Sequence, residues 1–228
     1  MDEWRVLLYP MGFLSSLVFG ARFIIQWLIS EKAQKSVVPQ IFWQLSLLGN
    51  VLLFLHSIVQ MQFHVGLVQS LNAVISWRNL NLMQNKKAPA SFTVVCILIG
   101  LSVFFTTGIF ILVDWLSQGF GDWFQIPIAP WQNRSTSFIP FHWHLLGFGA
   151  YIMFSSRFWI QWWTIERTQT SQLPLSFWWI SLVGALFSIV YFLKISDLVN
   201  LIGPLIGIVP YVRNLMLMKR RKIAGQET

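Results

Sequence analysis

Four arginines stand inside apolar stretches of this chain, Arg22, Arg78, Arg157 and Arg213, and each has an amide close by: Gln26, Asn79, Gln161 and Asn214. A guanidinium keeps its proton and presents forked N–H donors that match phosphate or carboxylate. The amides add neutral donors for phosphate or sugar oxygens. Carboxylates that would neutralise the arginines are scarce. Glu31 and Glu166 lie at one end of the apolar stretches, Asp114 and Asp197 at the other. Glu31 is nine positions from Arg22 (31 − 22), roughly 13 Å along a helix, too far to neutralise it. Either glutamate can reach Arg78 or Arg213, so at most two of the four charges find an internal counter-ion. The shortfall points to an external anion held in one composite site. A plainer reading has Arg22 and Arg157 snorkel to carbonyls and water, with Arg78 and Arg213 as struts on Glu31 and Glu166.

These residues occur in two copies. Arg22, Gln26, Trp27, Glu31, Ser36, Pro39, Phe42, Trp43, Ser46, Gly49, Arg78 and Asn79 recur as Arg157, Gln161, Trp162, Glu166, Ser171, Pro174, Phe177, Trp178, Ser181, Gly184, Arg213 and Asn214. The offset is constant (157 − 22 = 213 − 78 = 135), so the copies align without a gap. Roughly 20 of about 70 positions between Gly12 and Met83 are identical to their counterparts, which marks an internal duplication.

The elements that position them are membrane helices. In 228 residues the hydrophobic share is 55%, the charged share 11% and the mean hydropathy +0.60, too little charge for a water-soluble surface of this size. Apolar stretches near 8–29, 39–59, 63–84, 92–115, 142–164, 174–193 and 197–218 are each long enough to cross about 30 Å of hydrocarbon. Pro39 and Pro174 sit where a helix can begin without losing a donor. The 117–141 segment, with Trp123 and Trp131, is the one long loop and is expected at the interface. The first stretch does not have the form of a cleaved signal peptide: Asp2 and Glu3 precede it and no small-residue cleavage site follows.

The net charge of +8 does not indicate nucleic acid, because its placement orients the chain in a bilayer. With the C-terminus cytoplasmic, Lys32, Lys35, Lys86, Lys87, Arg167, Lys219, Arg220, Arg221 and Lys222 fall inside, against Arg5, Arg134 and Lys194 outside. The expectation is an all-α polytopic membrane protein of seven transmembrane helices, N-terminus outside and C-terminus cytoplasmic. Its units are a first three-helix repeat (1–84), a connector helix and outer loop (85–141), and a second three-helix repeat with a basic tail (142–228). The connector restores the direction of the second copy, so the repeats are parallel and enclose a site at their interface.

Other chemistry is thin. His142 and His144 have no acidic or thiol companion, the lone Cys96 excludes a disulfide framework, and no metal or cofactor is expected. His56, whose repeat counterpart is Tyr191, reads as a core or interface residue. Trp27, Trp43, Trp162 and Trp178 recur with the motif and serve packing, or stack on a sugar. No Ser-His-Asp set, phosphate-binding glycine loop or pair of carboxylates suited to glycosyl chemistry is present.

The run from Arg22 through Gln26, Trp27, Glu31, Ser36 and Pro39, continuing through Phe42, Trp43 and Ser46 to Gly49, together with Arg78, Asn79 and Leu80, resembles the N-terminal membrane domain of some lipid-A-disaccharide synthases. The second copy is a looser version between Thr168 and Pro174. That domain is in turn similar to the three-helix unit of proline–glutamine-loop and SWEET sugar transporters. Pro39–Gln40 keeps the proline–glutamine pair and Pro174–Leu175 does not. A neutral sugar makes poor use of four arginines, which favours a phosphorylated ligand. The resemblance implies lipid A assembly in a bacterial inner membrane, with membrane lipids, a phosphorylated glycolipid or lipid-linked sugar, and a glycosyltransferase as partners.

The functional expectation is a non-catalytic module that binds and translocates or presents a phosphorylated glycolipid through an arginine-lined cavity. Its site is Arg22, Gln26, Arg78, Asn79, Arg157, Gln161, Arg213 and Asn214, with Trp27, Glu31, Trp43, Trp162, Glu166 and Trp178 around it. One alternative is the anchoring N-terminal part of a lipid-A-disaccharide synthase, whose glycosyltransferase domain would follow residue 228 or sit on a separate chain. The other is a SWEET-like sugar carrier.

Overall fold

The computed structural model describes residues 3–84, 88–116, 123, 140–195 and 198–223. These form helices in the order α1 (Glu3–Leu8), α2 (Met11–Ala33), α3 (Gln40–Val59), α4 (Phe63–Gln84), α5 (Phe92–Leu116), α6 (Phe141–Thr168), α7 (Leu175–Lys194) and α8 (Leu198–Ile223). No strand forms among the described residues. Lys86, Lys87, Asp122, Trp131, Arg134 and Asp197 lie outside them.

The helix edges follow from local chemistry. Pro39 and Pro174 take extended backbone immediately before α3 and α7, so the ring that lacks a donor ends the preceding loop. Sequence patterning ends the first and fifth spans near 29 and 164, yet α2 and α6 continue to Ala33 and Thr168. Each then stops on a glutamine in the left-handed region, Gln34 (φ 49°) and Gln169 (φ 51°), a repeat-related pair (169 − 34 = 135). Their side chains donate back to the Glu31 and Glu166 carbonyls at 2.7 and 2.8 Å, capping orphan acceptors. At the other end of the first span, a turn at Tyr9 and Pro10 sets α1 apart from α2.

Five helices are long and apolar enough to cross a membrane by length and composition: α2 with the end of α1, then α3, α5, α7 and α8. The other two long helices, α4 and α6, are more polar than the sequence-level placement of seven spans assumes.

Within each repeat the middle helix packs on both neighbours: α3 on α2 and α4, α7 on α6 and α8. The repeats meet through α2 with α8 and α4 with α6, so six helices close a ring, and α5 packs outside it against α4. The shared core comes from both copies, with Phe23 and Phe158, Phe42 and Phe177, Trp43 and Trp178, and Leu80 and Leu215 as repeat-related pairs. The aromatic contacts cross reciprocally: Trp43 meets Phe158 edge-on at 6.4 Å and Trp178 meets Phe23 at 6.5 Å. Reciprocal contacts of this kind define a two-fold relation between the copies.

Close approach of the helices within a repeat depends on glycine. A Cβ at Gly12 would stand 2.8 Å from the His56 ring, and one at its counterpart Gly147 would stand 2.6 Å from the Tyr191 ring. His56 is accordingly buried, with its Nδ1 3.1 Å from the Tyr9 carbonyl oxygen.

Candidate functional site

The structure divides the four arginines into two layers. Arg78 and Arg213 lie at the end of the ring where α2 and α6 finish, and each is tied to a glutamate of the other repeat. Arg78 grips Glu166 with both forks, Nε to Oε1 at 2.7 Å and Nη2 to Oε2 at 2.8 Å. Its Nη1 donates to the Ala90 carbonyl at 2.6 Å. Arg213 makes the same bidentate bridge to Glu31, with Nε 2.5 Å from Oε2 and Nη2 donating to Oε1. The first pair is buried, 2% and 9% exposed; the second is at 25% and 34%.

The amides expected to serve a ligand are spent between the copies. Gln26 Nε2 donates to Asn214 Oδ1 at 2.9 Å, and Asn214 Nδ2 returns a bond to Gln26 Oε1 at 2.9 Å. Gln161 and Asn79 repeat this exchange at 2.8 and 3.3 Å. Ser36 donates to Asn214 and Ser171 to Asn79, both at 2.8 Å. Trp43 Nε1 donates to Ser171 at 2.8 Å. Together these close one end of the ring with a reciprocal polar lattice.

Arg22 and Arg157 stand apart from that lattice, against the rings of the aromatic core. Both are buried, 3% and 6% exposed. Arg22 Nη1 donates to Ser46 at 2.7 Å; Arg157 Nη1 donates to Ser181 at 3.3 Å and to the Tyr211 hydroxyl at 3.1 Å. Ser46 and Ser181 are themselves held on helix carbonyls at 2.6 Å. Rings surround both guanidiniums: Phe19, Phe23, Phe42 and Phe158 within 5.3 Å of Arg22, with Phe154 4.2 Å from Arg157. Cation–π contacts are worth about 0.5–2 kcal/mol each, which offsets part of the burial cost. No carboxylate among the described residues bonds to either, and Nε of both is buried without a hydrogen-bond partner. The two charges also oppose one another.

Both guanidiniums line a central cavity of about 480 Å³ between the six ring helices. Asn50, Asn72, Tyr151, Ser188 and Tyr211 join them there, amid Phe19, Phe154 and Phe158. No described carboxylate lines it. The Asn72 side-chain oxygen is likewise buried without a partner. The one composite cleft expected for four arginines is thus two sites. Arg78 and Arg213 are satisfied struts because the α2 and α6 helices run on far enough to deliver Glu31 and Glu166, and Arg22 and Arg157 alone face the cavity.

The tryptophans do not line the cavity. Trp43 and Trp178 are fully buried in the core, and Trp162 stacks on Phe92 at 5.8 Å and donates to Glu166 at 3.0 Å. Trp27, its counterpart in the first copy, is half-buried. Asn50, Asn72, Tyr151 and Tyr211 were not singled out by sequence because they have no identical repeat partner; an isolated polar residue inside an apolar span was the signal available. His142 is exposed, and no metal-holding cluster occurs among the described residues.

Comparison with known proteins agrees with the duplication. The sequence profile described as Lipid A Biosynthesis N-terminal domain matches at residues 11–81 and again at 146–216, with the same 135-residue offset (146 − 11). The chain is 38% identical over 216 residues to the lipid-A-disaccharide synthase of Chlamydia pneumoniae, covering 95% of this chain and 34% of that protein. It is 35% identical over 222 residues to that of Chlamydia caviae, covering 94% and 34%. The chain spans about a third of the length of these curated relatives. No solved structure matches, so the likeness to SWEET transporters finds no support there. Two matched copies over most of its length place this membrane-associated chain, helical with short turns over its described residues, in the lipid A biosynthesis N-terminal domain family.

Proposed function

We propose that this chain is a bacterial inner-membrane module of glycolipid assembly whose central cavity receives the phosphorylated head of a lipid. The observation that carries the reading is the pair Arg22 and Arg157: two buried guanidiniums with no carboxylate partner among the described residues, each with an orphan Nε–H, sharing one cavity. A charge deep in a bilayer costs about 2.5 kcal/mol or more; aromatic rings and serine hydroxyls offset part of that cost and leave the charge itself uncancelled. A phosphate would supply the missing charge and accept the orphan donors. The relatives' name, lipid-A-disaccharide synthase, supports an acylated sugar phosphate as the lipid.

In this reading all seven long helices cross the membrane, the basic ends of α2, α6 and α8 are cytoplasmic, and 1–84 and 142–228 act as two units around the 85–141 connector. The polar faces of α4 and α6 turn toward the ring. The chain presents or translocates the lipid, and a glycosyltransferase is its partner.

The test is binding of an acylated glucosamine phosphate to the purified protein in phosphatidylcholine nanodiscs. Arg22→Gln combined with Arg157→Gln is expected to weaken binding at least tenfold, with Arg213→Gln close to wild type. Equal affinity in the double variant, or no binding by folded wild type, overturns the reading. Quenching of labelled lipid in proteoliposomes measures translocation separately.

A second reading rests on the shared third of the relatives: the module anchors a lipid-A-disaccharide synthase. Co-purification with a glycosyltransferase, unaffected by the arginine substitutions, would favour it.

A further inference from the structure

The second large cavity lies on the outside of the ring, a groove of about 520 Å³ between α3, α4 and α5. Val51, Phe54, Val74, Trp77 and Leu98 form its apolar walls. On the same helix as Leu98, Ile97, Leu101, Phe104 and Phe105 are exposed, so α5 carries a surface fit for hydrocarbon. Asn50 and Gln69 stand at its inner side, and the small hydroxyls of Ser70 and Ser102 are its other polar groups.

Asn50 and Gln69 also line the arginine cavity, so the groove and the cavity meet at them. Asn50 is buried and donates to Ser76 at 3.2 Å across α3 and α4. On α5, Thr106 donates to Ser70 of α4 at 3.0 Å and fixes the groove's far side.

The duplication breaks here. The positions matching Asn50 and Gln69 are Ala185 and Pro204 (50 + 135, 69 + 135), and among the described residues no helix packs on α8 as α5 packs on α4. The amide exchange that ties the copies together is reciprocal, so its needs do not explain polar residues on one side only.

An apolar slot that meets a cationic cavity at two polar side chains matches the shape of an anionic amphiphile. We propose that the α3–α4–α5 groove seats an acyl chain of the lipid whose head the central cavity receives, with Asn50 and Gln69 at the boundary between chain and head. The proposal rests on the cavity reading above.

The experiment uses dodecyl phosphate carrying a terminal diazirine, added to the full chain in phosphatidylcholine nanodiscs and cross-linked by light. The expected label falls on Val51, Phe54, Val74 or Leu98 and is competed by unlabelled dodecyl phosphate. Ala73→Trp fills the groove and is expected to remove the label and weaken dodecyl phosphate at least tenfold, with inorganic phosphate binding unchanged. Ser102→Phe, from the α5 side, does the same in case the first variant fails to fold. Label confined to cavity residues such as Phe148 and Val68, or unchanged dodecyl phosphate affinity in the folded groove variants, overturns the groove and leaves the cavity reading standing. Failure of both dodecyl phosphate and inorganic phosphate to bind wild type, or binding that survives loss of both Arg22 and Arg157, overturns the cavity reading and the groove with it.

Discussion

At the residue scale, the two Arg–Glu bridges have the same chemistry and different surroundings. Arg78 and Glu166 are almost wholly screened from solvent, whereas Arg213 and Glu31 are a quarter to a third exposed. Removing one partner of a buried pair strands the other charge, at about 3–5 kcal/mol, whereas a solvent-screened pair loses little. Glu166→Gln is therefore expected to lower unfolding stability in detergent several-fold more than Glu31→Gln. Combining Glu166→Gln with Arg78→Gln should recover part of the loss, because no stranded charge remains. Equal effects of the two glutamate substitutions would contradict the assignment of burial. The same reasoning separates Arg22 and Arg157 from the struts: their side chains are held by serines and rings, so their loss should affect anion binding more than folding.

At the element scale, helices pack as closely as their glycines permit. Gly49 is the extreme case, since a Cβ there would come 2.4 Å from the Phe19 ring across α2 and α3. Gly100 and Gly108 on α5 have open space instead. Gly49→Ala and Gly147→Ala are expected to destabilise by about 1–3 kcal/mol through overpacking. Gly100→Ala should stabilise by about 0.5–1 kcal/mol through the lost backbone entropy of glycine in a helix. Thermal unfolding of the three variants in one detergent checks the contrast, and the same sign for all three would refute it.

At the scale of the whole molecule, one end of the ring carries Lys32, Lys35, Arg167, Lys219 and Arg220 close to the reciprocal lattice, and the cavity lies toward the other end. If the basic end is cytoplasmic, cysteines placed at Lys35 and Lys219 in a Cys96→Ser background should react with an impermeant maleimide only after spheroplasts are opened. A cysteine at Lys194 should react from outside. The reverse pattern would invert the orientation and turn the cavity's nearer end to the cytoplasm.

The sequence by itself determined the duplication, the helices and the shortage of counter-ions. Each is carried by local or periodic information: a constant offset, apolar runs of membrane length, and a count of carboxylates within reach. It also named Glu31 and Glu166 as the partners within range of Arg78 and Arg213. Only tertiary structure decided which glutamate meets which arginine, because the bridges cross between copies and depend on α2 and α6 extending past the charged residues that patterning treats as loop. Tertiary structure likewise decided that Gln26, Asn79, Gln161 and Asn214 satisfy one another, since an amide's partner far along the chain leaves no trace in local spacing. The cavity's asymmetric residues, Asn50 and Tyr211 among them, were invisible to the repeat for the opposite reason: they lie where the two copies differ.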